Sequence, residues 1–136
     1  MVEMYTNFFL IDDDPDELDI FSEALTEVDP RFTCTWANSP TKALDILQNK
    51  IPDVIFLDIN MPRMDGYECL QEIKKIDNVA NVPVIMYSNG INVDACNKAI
   101  ALGAAGCVRK AADIPKLTNI IRNVITRTDP KAFFEV

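Results

Sequence analysis

Short runs of apolar residues alternate along the chain with segments in which apolar residues recur every three or four positions. Such runs are typical of buried strands, and the wider spacing is typical of helices with one buried face. The runs predict five strands, at residues 7–11, 31–37, 53–57, 82–87 and 106–109. The spaced segments predict a helix after each strand, at residues 15–28, 40–47, 67–76, 93–102 and 113–125.

Strands that are apolar on both faces and alternate with helices indicate a parallel sheet covered by helices on both sides. Because crossover connections of this kind are right-handed, we expect an α/β fold with an open, doubly wound (βα)5 sheet. In such sheets the functional site lies beyond the carboxyl ends of the strands. Polar residues that directly follow the strands are therefore the first candidates for function.

Composition is consistent with one domain and excludes several kinds of chemistry. The 136 residues are 49% hydrophobic, which is enough for a single sizeable core. The chain contains no histidine, which excludes histidine general bases, histidine-ligated zinc and phosphohistidine carriers. The net charge of −8 argues against direct binding to nucleic acid or to anionic membranes. The start of the chain lacks the basic residues of a signal peptide, so a cytoplasmic location is expected.

Four cysteines, at positions 34, 69, 96 and 107, show neither a CxxC pair nor close spacing. This pattern fits neither a zinc site nor a disulfide scaffold. We expect reduced thiols that pack as small hydrophobic side chains. Redox sensing by Cys107 is the alternative, although only Arg109 and Lys110 lie near it in sequence as cations that could activate a thiol.

Charged and hydroxyl side chains stand at the predicted carboxyl ends of four strands. Asp12 and Asp13 follow the first strand, Asp58 the third, Ser88 the fourth and Lys110 the fifth. Carboxylates brought close together repel one another unless a cation neutralises them. A hard divalent cation with oxygen ligands, such as Mg2+, would do so. The same groups suit phosphoryl transfer, which needs a nucleophile, a metal and donors to the phosphoryl oxygens.

A structural role is the alternative for each acidic residue, because an Asp at a strand end often caps the next helix. Asp14, which is followed by Pro15, is expected to cap the first helix in this way. The pair Asp12 and Asp13 together with Asp58, on nonadjacent segments at equivalent strand ends, is harder to explain by capping.

Four segments resemble, in order, the motifs of response-regulator receiver domains: FFLIDDDPDE, PDVIFLDINMPRMDGYE, VPVIMYS and GAAGCVRK. The second is the most specific, because it contains D-x-N-M-P-x-M-D-G after an apolar strand. The resemblance covers nearly the whole chain, so residues 1–128 are expected to form the receiver domain and residues 129–136 a C-terminal tail. It implies a flavodoxin-like parallel sheet of five strands in the order 2-1-3-4-5.

The resemblance implies that three of these residues take part in phosphoryl transfer. Asp58 matches the family's phosphoacceptor, which attacks a phosphohistidine or a small acyl phosphate. Ser88 matches the residue whose hydroxyl moves to bond a phosphoryl oxygen, and Lys110 matches the lysine that pairs with the phosphoryl group. Each implied role agrees with the chemistry of the residue type.

The resemblance also implies a magnesium site. Asp13 matches a direct Mg2+ ligand, and Asp12 matches a residue that acts largely through water. Asp58 belongs to the same set of ligands, and Asn60 resembles the residue whose backbone carbonyl binds the ion. Gly66, in the loop that follows, is expected to supply backbone freedom.

Three positions depart from the family's pattern. Lys110 is followed by Ala111 where the family has a proline after a cis bond, so we expect a trans bond with a rerouted loop, or retained strain. Asn89 stands where a small residue is usual, and is expected to narrow access to the phosphoacceptor or to bond the phosphoryl group. Cys107 replaces an aromatic residue that rotates inward on activation. Either another side chain such as Tyr87 takes part of that role, or the coupling is altered between phosphorylation and the surface formed by the fourth helix, the fifth strand and the fifth helix.

The implied function is a phosphorylation-controlled signalling switch and not an enzyme. A sensor histidine kinase or a phosphotransfer protein would donate the phosphoryl group, and the phosphorylated chain would bind a downstream protein that the sequence does not identify. A phosphorylation-dependent homodimer is a further expectation from the family. One alternative is a degenerate receiver that binds partners without phosphorylation. The other is a magnesium-dependent phosphohydrolase. Such enzymes typically have an acid/base Asp two residues after the nucleophile, and this position is Asn60 here.

Overall fold

Every strand and helix predicted from the hydrophobic pattern is present in the computed structural model, with ends that differ by at most two residues. The structure describes residues 6–110, 113–126 and 134–135. The strands are β1 (Asn7–Ile11), β2 (Thr33–Ala37), β3 (Val54–Leu57), β4 (Val84–Ser88) and β5 (Gly106–Arg109). The helices are α1 (Pro15–Val28), α2 (Pro40–Leu47), α3 (Gly66–Lys74), α4 (Val93–Ala101) and α5 (Ile114–Thr126).

The strands form one parallel sheet, and the order β2-β1-β3-β4-β5 confirms the expected topology. A sixth strand of two residues, β6 (Phe134–Glu135), pairs in parallel with β5 and was not predicted from the hydrophobic pattern. Phe134 stands opposite Cys107 in the register, so this part of the expected tail returns to the edge of the sheet. The remainder of residues 129–136 lies outside the described residues.

Two apolar clusters, one on each face of the sheet, hold the layers together. Helices α1 and α5 cover one face, where the rings of Phe21 and Phe56 meet edge to face with centroids 4.9 Å apart. Helices α2, α3 and α4 cover the other face, where Leu70 and Ile73 are fully buried, as their spacing predicted. Because β3 and β4 are buried along their whole length, the positions of their carboxyl ends are determined by packing on both faces.

Capping side chains determine where the loops end and the helices begin. Asp14 accepts a hydrogen bond from the backbone N of Asp16 (2.9 Å) and caps α1, as predicted. Asp65 and Glu68 form a capping box at the start of α3. None of the helices in the described residues combines the length and the apolar character needed to cross a membrane.

The first residue of α3, Gly66, packs directly against the backbone of the loop that follows β3. A Cβ atom at this position would lie 2.6 Å from Cα of Ile59 and would overlap the carbonyl oxygen of Asp58. The backbone N of Gly66 also donates to the carbonyl of Ile59 at 2.7 Å. Positive φ values occur at Gly90 and Gly103 but not at Gly66. The expectation of backbone freedom is therefore wrong, because this position requires a glycine for close approach.

We expect Gly66→Ala to destabilise the domain by roughly 1–3 kcal/mol, because the added methyl group would displace the backbone next to Asp58. Gly90→Asn is the matched control, since the space around Gly90 is open and Asn tolerates a left-handed backbone. Urea denaturation followed by circular dichroism measures both variants. An effect of Gly66→Ala no larger than that of Gly90→Asn would contradict the role assigned to Gly66.

Candidate functional site

The side chains expected to cluster at the carboxyl ends of the strands lie together in the structure. Asp12 follows β1, Asp58 follows β3, Ser88 ends β4 and Lys110 follows β5. Backbone hydrogen bonds continue the strand pairing past the strand ends. Asp58 N donates to Ile11 O at 2.9 Å, and Lys110 N donates to Ser88 O at 3.1 Å. The sheet therefore holds the first residue of each of these loops in register.

The carboxylate of Asp58 lies at the centre of the cluster, and the residue is 4% exposed. Its Oδ1 accepts hydrogen bonds from the hydroxyl of Ser88 (3.0 Å) and from the backbone N of Asn60 (3.2 Å). Its Oδ2 faces Nζ of Lys110 at 3.5 Å. The side-chain amide of Asn60 donates to the hydroxyl of Ser88 at 3.4 Å, which helps to orient that hydroxyl toward Asp58.

Lys110 places its ammonium group between two carboxylates. Nζ lies 2.8 Å from Oδ2 of Asp12 and 3.5 Å from Oδ2 of Asp58, and the lysine side chain is 8% exposed. Burial by itself lowers the pKa of Lys110, but the ion pair with Asp12 and the charges of Asp58 and Glu17 outweigh it and raise the pKa. Lys110 therefore stays charged beside Asp58 at neutral pH.

Asp12 carries a charge that its surroundings compensate only in part. The residue is fully buried, and burial raises the pKa of its carboxyl group although Lys110 and the backbone N of Asp14 act to lower it. Oδ1 accepts the hydrogen bond from Asp14 N at 3.0 Å. Oδ2 has the ammonium of Lys110 at 2.8 Å but no aligned hydrogen bond, so it retains capacity for a further cation.

The oxygen atoms at this position fit a hard divalent cation. Carboxylate oxygens of Asp12, Asp13 and Asp58 lie within 4.8 Å of one another, and Asp13 is exposed to solvent. The buried Oδ2 of Asp12 and a donor set made only of oxygens suit Mg2+, which keeps several waters in an open site. Asn60, the fourth residue expected at the ion, lies at the exposed edge of the cluster next to Asp58.

Two hydrogen bonds at the site were not predicted from the sequence. The indole N–H of Trp36, in β2, donates to the backbone carbonyl of Asp12 at 2.9 Å. The hydroxyl of Tyr87 donates to Oε2 of Glu17 at 3.2 Å, and burial raises the pKa of Glu17. The position of Glu17 in the first turn of α1 could be read from the capping pattern, but its partner on β4 could not.

The expectation of four reduced thiols is wrong for two of them. Cys96 of α4 and Cys107 of β5 form a disulfide, with their Cα atoms 5.8 Å apart. Cys34 and Cys69 are free thiols, as expected. The pairing could not be read from the sequence, because the two cysteines are separated by 11 positions and only the packing of α4 on β5 brings them together.

The other departures from the family's pattern have different outcomes. Tyr87 belongs to the apolar cluster on the sheet face opposite to Cys107, so it does not fill the space beside that residue. Asn89 is exposed at the end of β4. The trans geometry of the Lys110–Ala111 bond stays a prediction, because Ala111 lies outside the described residues.

Comparison with known proteins identifies the family of the chain. Residues 8–122 match the sequence profile of the response regulator receiver domain, and the chain belongs to that family. The probable transcriptional regulator ycf29 of Porphyra purpurea is 32% identical over 127 residues, which cover 91% of this chain and 58% of that protein. The signal receiver domain of the DNA-binding response regulator protein merR from Colwellia psychrerythraea 34H has a TM-score of 0.77 and 29% identity, and the match covers 90% of this chain and 99% of that one.

A third similar protein, the phosphorylated cyanobacterial phytochrome response regulator RcpA, has a TM-score of 0.76 and 25% identity, with 88% of this chain and 91% of that one covered. The chain spans between 24% and 58% of the length of six curated relatives that it matches. Receiver domains act in signalling, interact with histidine kinases or phosphotransfer proteins, and generally bind Mg2+ at an acidic cluster. The activities of the longer relatives belong to those proteins.

We expect Asp12→Asn to stabilise the metal-free domain at neutral pH, because it removes a buried charge whose pKa the fold raises. A raised pKa means that the folded chain holds this proton more tightly than the unfolded chain. The corresponding stability is therefore present below the ordinary value of 3.8 and is lost as pH rises through the folded pKa. The free energy of unfolding of Asp12→Asn should therefore exceed that of the wild type by a growing amount as pH rises through the folded pKa.

Urea denaturation in EDTA at a series of pH values measures the difference in free energy of unfolding between Asp12→Asn and the wild type. Asp45→Asn, at an exposed position in α2, is the control for the general effect of removing one negative charge from an acidic chain. A difference for Asp12→Asn that does not change with pH, or that Asp45→Asn reproduces, would contradict the charge imbalance inferred at Asp12.

Proposed function

We propose that Asp58 is the phosphoacceptor of a two-component signalling switch, which takes a phosphoryl group from a sensor histidine kinase or a phosphotransfer protein in the presence of Mg2+. The environment of the Asp58 carboxylate carries this proposal, since a buried lysine faces one oxygen and a hydroxyl donates to the other. A carboxylate in such surroundings can act as a nucleophile, and the same groups can then receive the charge of the transferred phosphoryl group.

The proposed step forms one bond and breaks one bond. A carboxylate oxygen of Asp58 attacks phosphorus, and the P–N bond of the donor's phosphohistidine breaks, so that the imidazole leaves with the electron pair. Lys110 would then pair with the phosphoryl oxygens, and the hydroxyl of Ser88 would donate to one of them instead of to Asp58. Mg2+ held by Asp12, Asp13 and Asp58 would offset the negative charge of the reacting groups.

The change of partner at Ser88 supplies the switch. Its hydroxyl donates to Asp58 at 3.0 Å and accepts from the side-chain amide of Asn60 at 3.4 Å. The backbone carbonyl of Asn60 would bind the magnesium ion. A shift of Ser88 would pass into residues 89–92, which lead directly to α4. A shift of Lys110 would act on β5. The surface made by α4 and β5 is therefore the one proposed to change affinity for a partner.

The chain has no histidine, so onward transfer of the phosphoryl group would require a histidine of another protein. We assign the signalling role to a receiver domain at residues 1–128, followed by a tail at residues 129–136, in a cytoplasmic protein. The output would be binding of a downstream protein or formation of a homodimer on phosphorylation. No turnover of an external substrate is assigned beyond self-phosphorylation and dephosphorylation.

Beryllofluoride stands in for a phosphoryl group on an aspartate, and we expect it to bind with Mg2+ and to change the fluorescence of Trp36. Trp36 is the single tryptophan, and its indole N–H donates a hydrogen bond to the backbone carbonyl of Asp12. Binding of Mg2+ and beryllofluoride at the acidic cluster should therefore alter its emission. Asp58→Asn should abolish the beryllofluoride response. Lys110→Ala should weaken it by roughly tenfold or more, because a charge-assisted hydrogen bond is lost.

Lys116→Ala is the matched control for Lys110→Ala, since Lys116 is exposed in α5 and should leave the response unchanged. Binding of Mg2+ without any binding of beryllofluoride to the wild-type chain would contradict the phosphoacceptor role of Asp58. That result would favour the degenerate receiver, which binds partners without phosphorylation.

We expect Asn89→Ala to accelerate phosphorylation by acetyl phosphate several-fold, because the exposed amide of Asn89 stands at the end of β4 and would narrow the approach to Asp58. The rate of the fluorescence change of Trp36 after mixing with acetyl phosphate and Mg2+ measures this effect. Asn119→Ala, at an exposed position in α5, is the control. Equal rates for the wild type and Asn89→Ala would remove Asn89 as a gate.

A further inference from the structure

The four cysteines fall into two chemically different pairs. Cys34 and Cys69 are free, and burial raises the pKa of their thiols to about 11 and to about 12, so neither forms a thiolate readily at neutral pH. Cys96 and Cys107 are joined in a disulfide and are fully buried between α4 and β5. Redox chemistry is therefore concentrated on the second pair.

The disulfide connects the two segments that border the phosphoacceptor. Cys96 lies in the first turns of α4, where its backbone N donates to the carbonyl of Asn92 at 3.0 Å. The connection from Ser88 to α4 ends at Asn92. Cys107 lies in β5, three positions before Lys110. The bond thus ties the segment that leaves Ser88 to the strand that carries Lys110.

We propose that Cys96 and Cys107 are a redox-modified site: their disulfide restrains α4 against β5, and its reduction by a dithiol loosens α4 and favours the phosphorylated state of Asp58. The effect on Asp58 rests on the proposed function, whereas the redox chemistry does not. In the cytoplasm, disulfides of proteins from organisms that grow at moderate temperature are usually catalytic or redox-sensing. A regulatory role therefore fits the location proposed above.

The reaction exchanges one disulfide for another. A thiolate of the dithiol reductant attacks one sulfur of the Cys96–Cys107 bond, which breaks and releases the other cysteine. The second thiolate of the reductant then displaces the remaining protein sulfur from the mixed disulfide. The chain gains two electrons and two protons, and the reductant becomes a disulfide. In the reverse direction, oxidised glutathione accepts the two electrons and is converted to two thiols.

Burial of both cysteines makes this exchange depend on movement of α4. The helix has nine residues, and its fully buried side chains are those of Cys96 and Ala99. Val93, its first residue, is 55% exposed. A helix with so small a buried face opens at a lower free energy than the central strands, and opening exposes the disulfide. Reduction is therefore linked to motion of α4.

Phosphorylation requires movement in the same region. The hydroxyl of Ser88 donates to Oδ1 of Asp58 at 3.0 Å, and transfer of this hydrogen bond to a phosphoryl oxygen displaces the start of the connection to α4. While the disulfide is closed, α4 can follow only together with β5, which also holds Lys110 in place. The oxidised chain should therefore resist the rearrangement, and the reduced chain should undergo it more easily.

The redox step is tested by equilibrating the full chain in two series of buffers, one with graded ratios of oxidised to reduced glutathione and one with graded ratios of oxidised to reduced dithiothreitol, a dithiol. Alkylation and mass spectrometry then count the free thiols. We expect two thiols to appear across the series, and peptide mapping to assign them to Cys96 and Cys107. A pair that stays oxidised, or stays reduced, across both series would overturn the proposal.

The coupling is tested by the affinity for beryllofluoride in the presence of Mg2+. We expect the reduced chain to bind roughly fivefold more tightly than the oxidised chain or better, at the lower end of common coupling strengths. Cys96→Ala should bind like the reduced chain in either buffer. Cys34→Ala leaves the pair intact and should keep the dependence on redox state. Equal affinities of the two redox forms would overturn the coupling.

Hydrogen exchange of the α4 amides separates this inference from the proposed function. Faster exchange in the reduced than in the oxidised chain would support the restraint, and equal exchange would overturn it. If neither redox form bound beryllofluoride, the phosphoacceptor role of Asp58 would fail while hydrogen exchange still decided whether the disulfide restrains α4. Both comparisons use the wild-type chain in two redox states, so they do not depend on the folding of Cys96→Ala.

Discussion

A buried ammonium group shared by two carboxylates is the interaction on which the functional end of the molecule depends. Nζ of Lys110 lies 2.8 Å from Asp12 and 3.5 Å from Asp58. It offsets part of the repulsion among acidic side chains that a parallel sheet brings to one edge. Lys110 compensates the charge of Asp12 only in part, because burial still raises the pKa of Asp12. In addition, Oδ2 of Asp12 has no aligned hydrogen bond. The remaining negative charge suits the site to a cation and to charge-dependent chemistry.

The strand that delivers Lys110 also connects the site to the rest of the structure. β5 carries Lys110 just beyond its end, is joined to α4 through Cys107, and pairs with β6 at its outer edge. Its neighbour β4 ends in Ser88, which bonds Asp58 and leads into α4. Ser88 and Lys110 therefore provide two structural connections between the Asp58 carboxylate and the α4–β5 region. The Cys96–Cys107 disulfide joins the two segments to which these connections lead.

Much of the fold could be predicted because its causes are local or topological. The spacing of apolar residues located all five central strands and all five helices, and the capping role of Asp14 followed from its position before Pro15. The convergence of Asp12, Asp58, Ser88 and Lys110 followed from the parallel arrangement, since parallel strands bring their carboxyl ends to the same edge. The order of the strands followed from the resemblance to receiver domains.

The sequence by itself therefore determined the class of fold, the elements and the residues that meet at the strand ends. Only the tertiary structure decided that Cys96 pairs with Cys107, that Gly66 is needed for close approach, and that Tyr87 faces away from Cys107. It also decided that Asp12 is the buried and incompletely compensated carboxylate. These features depend on which side chains meet after helices pack on the sheet. Distances and burial between segments far apart in the chain are set by that packing, and no local pattern of residues encodes them.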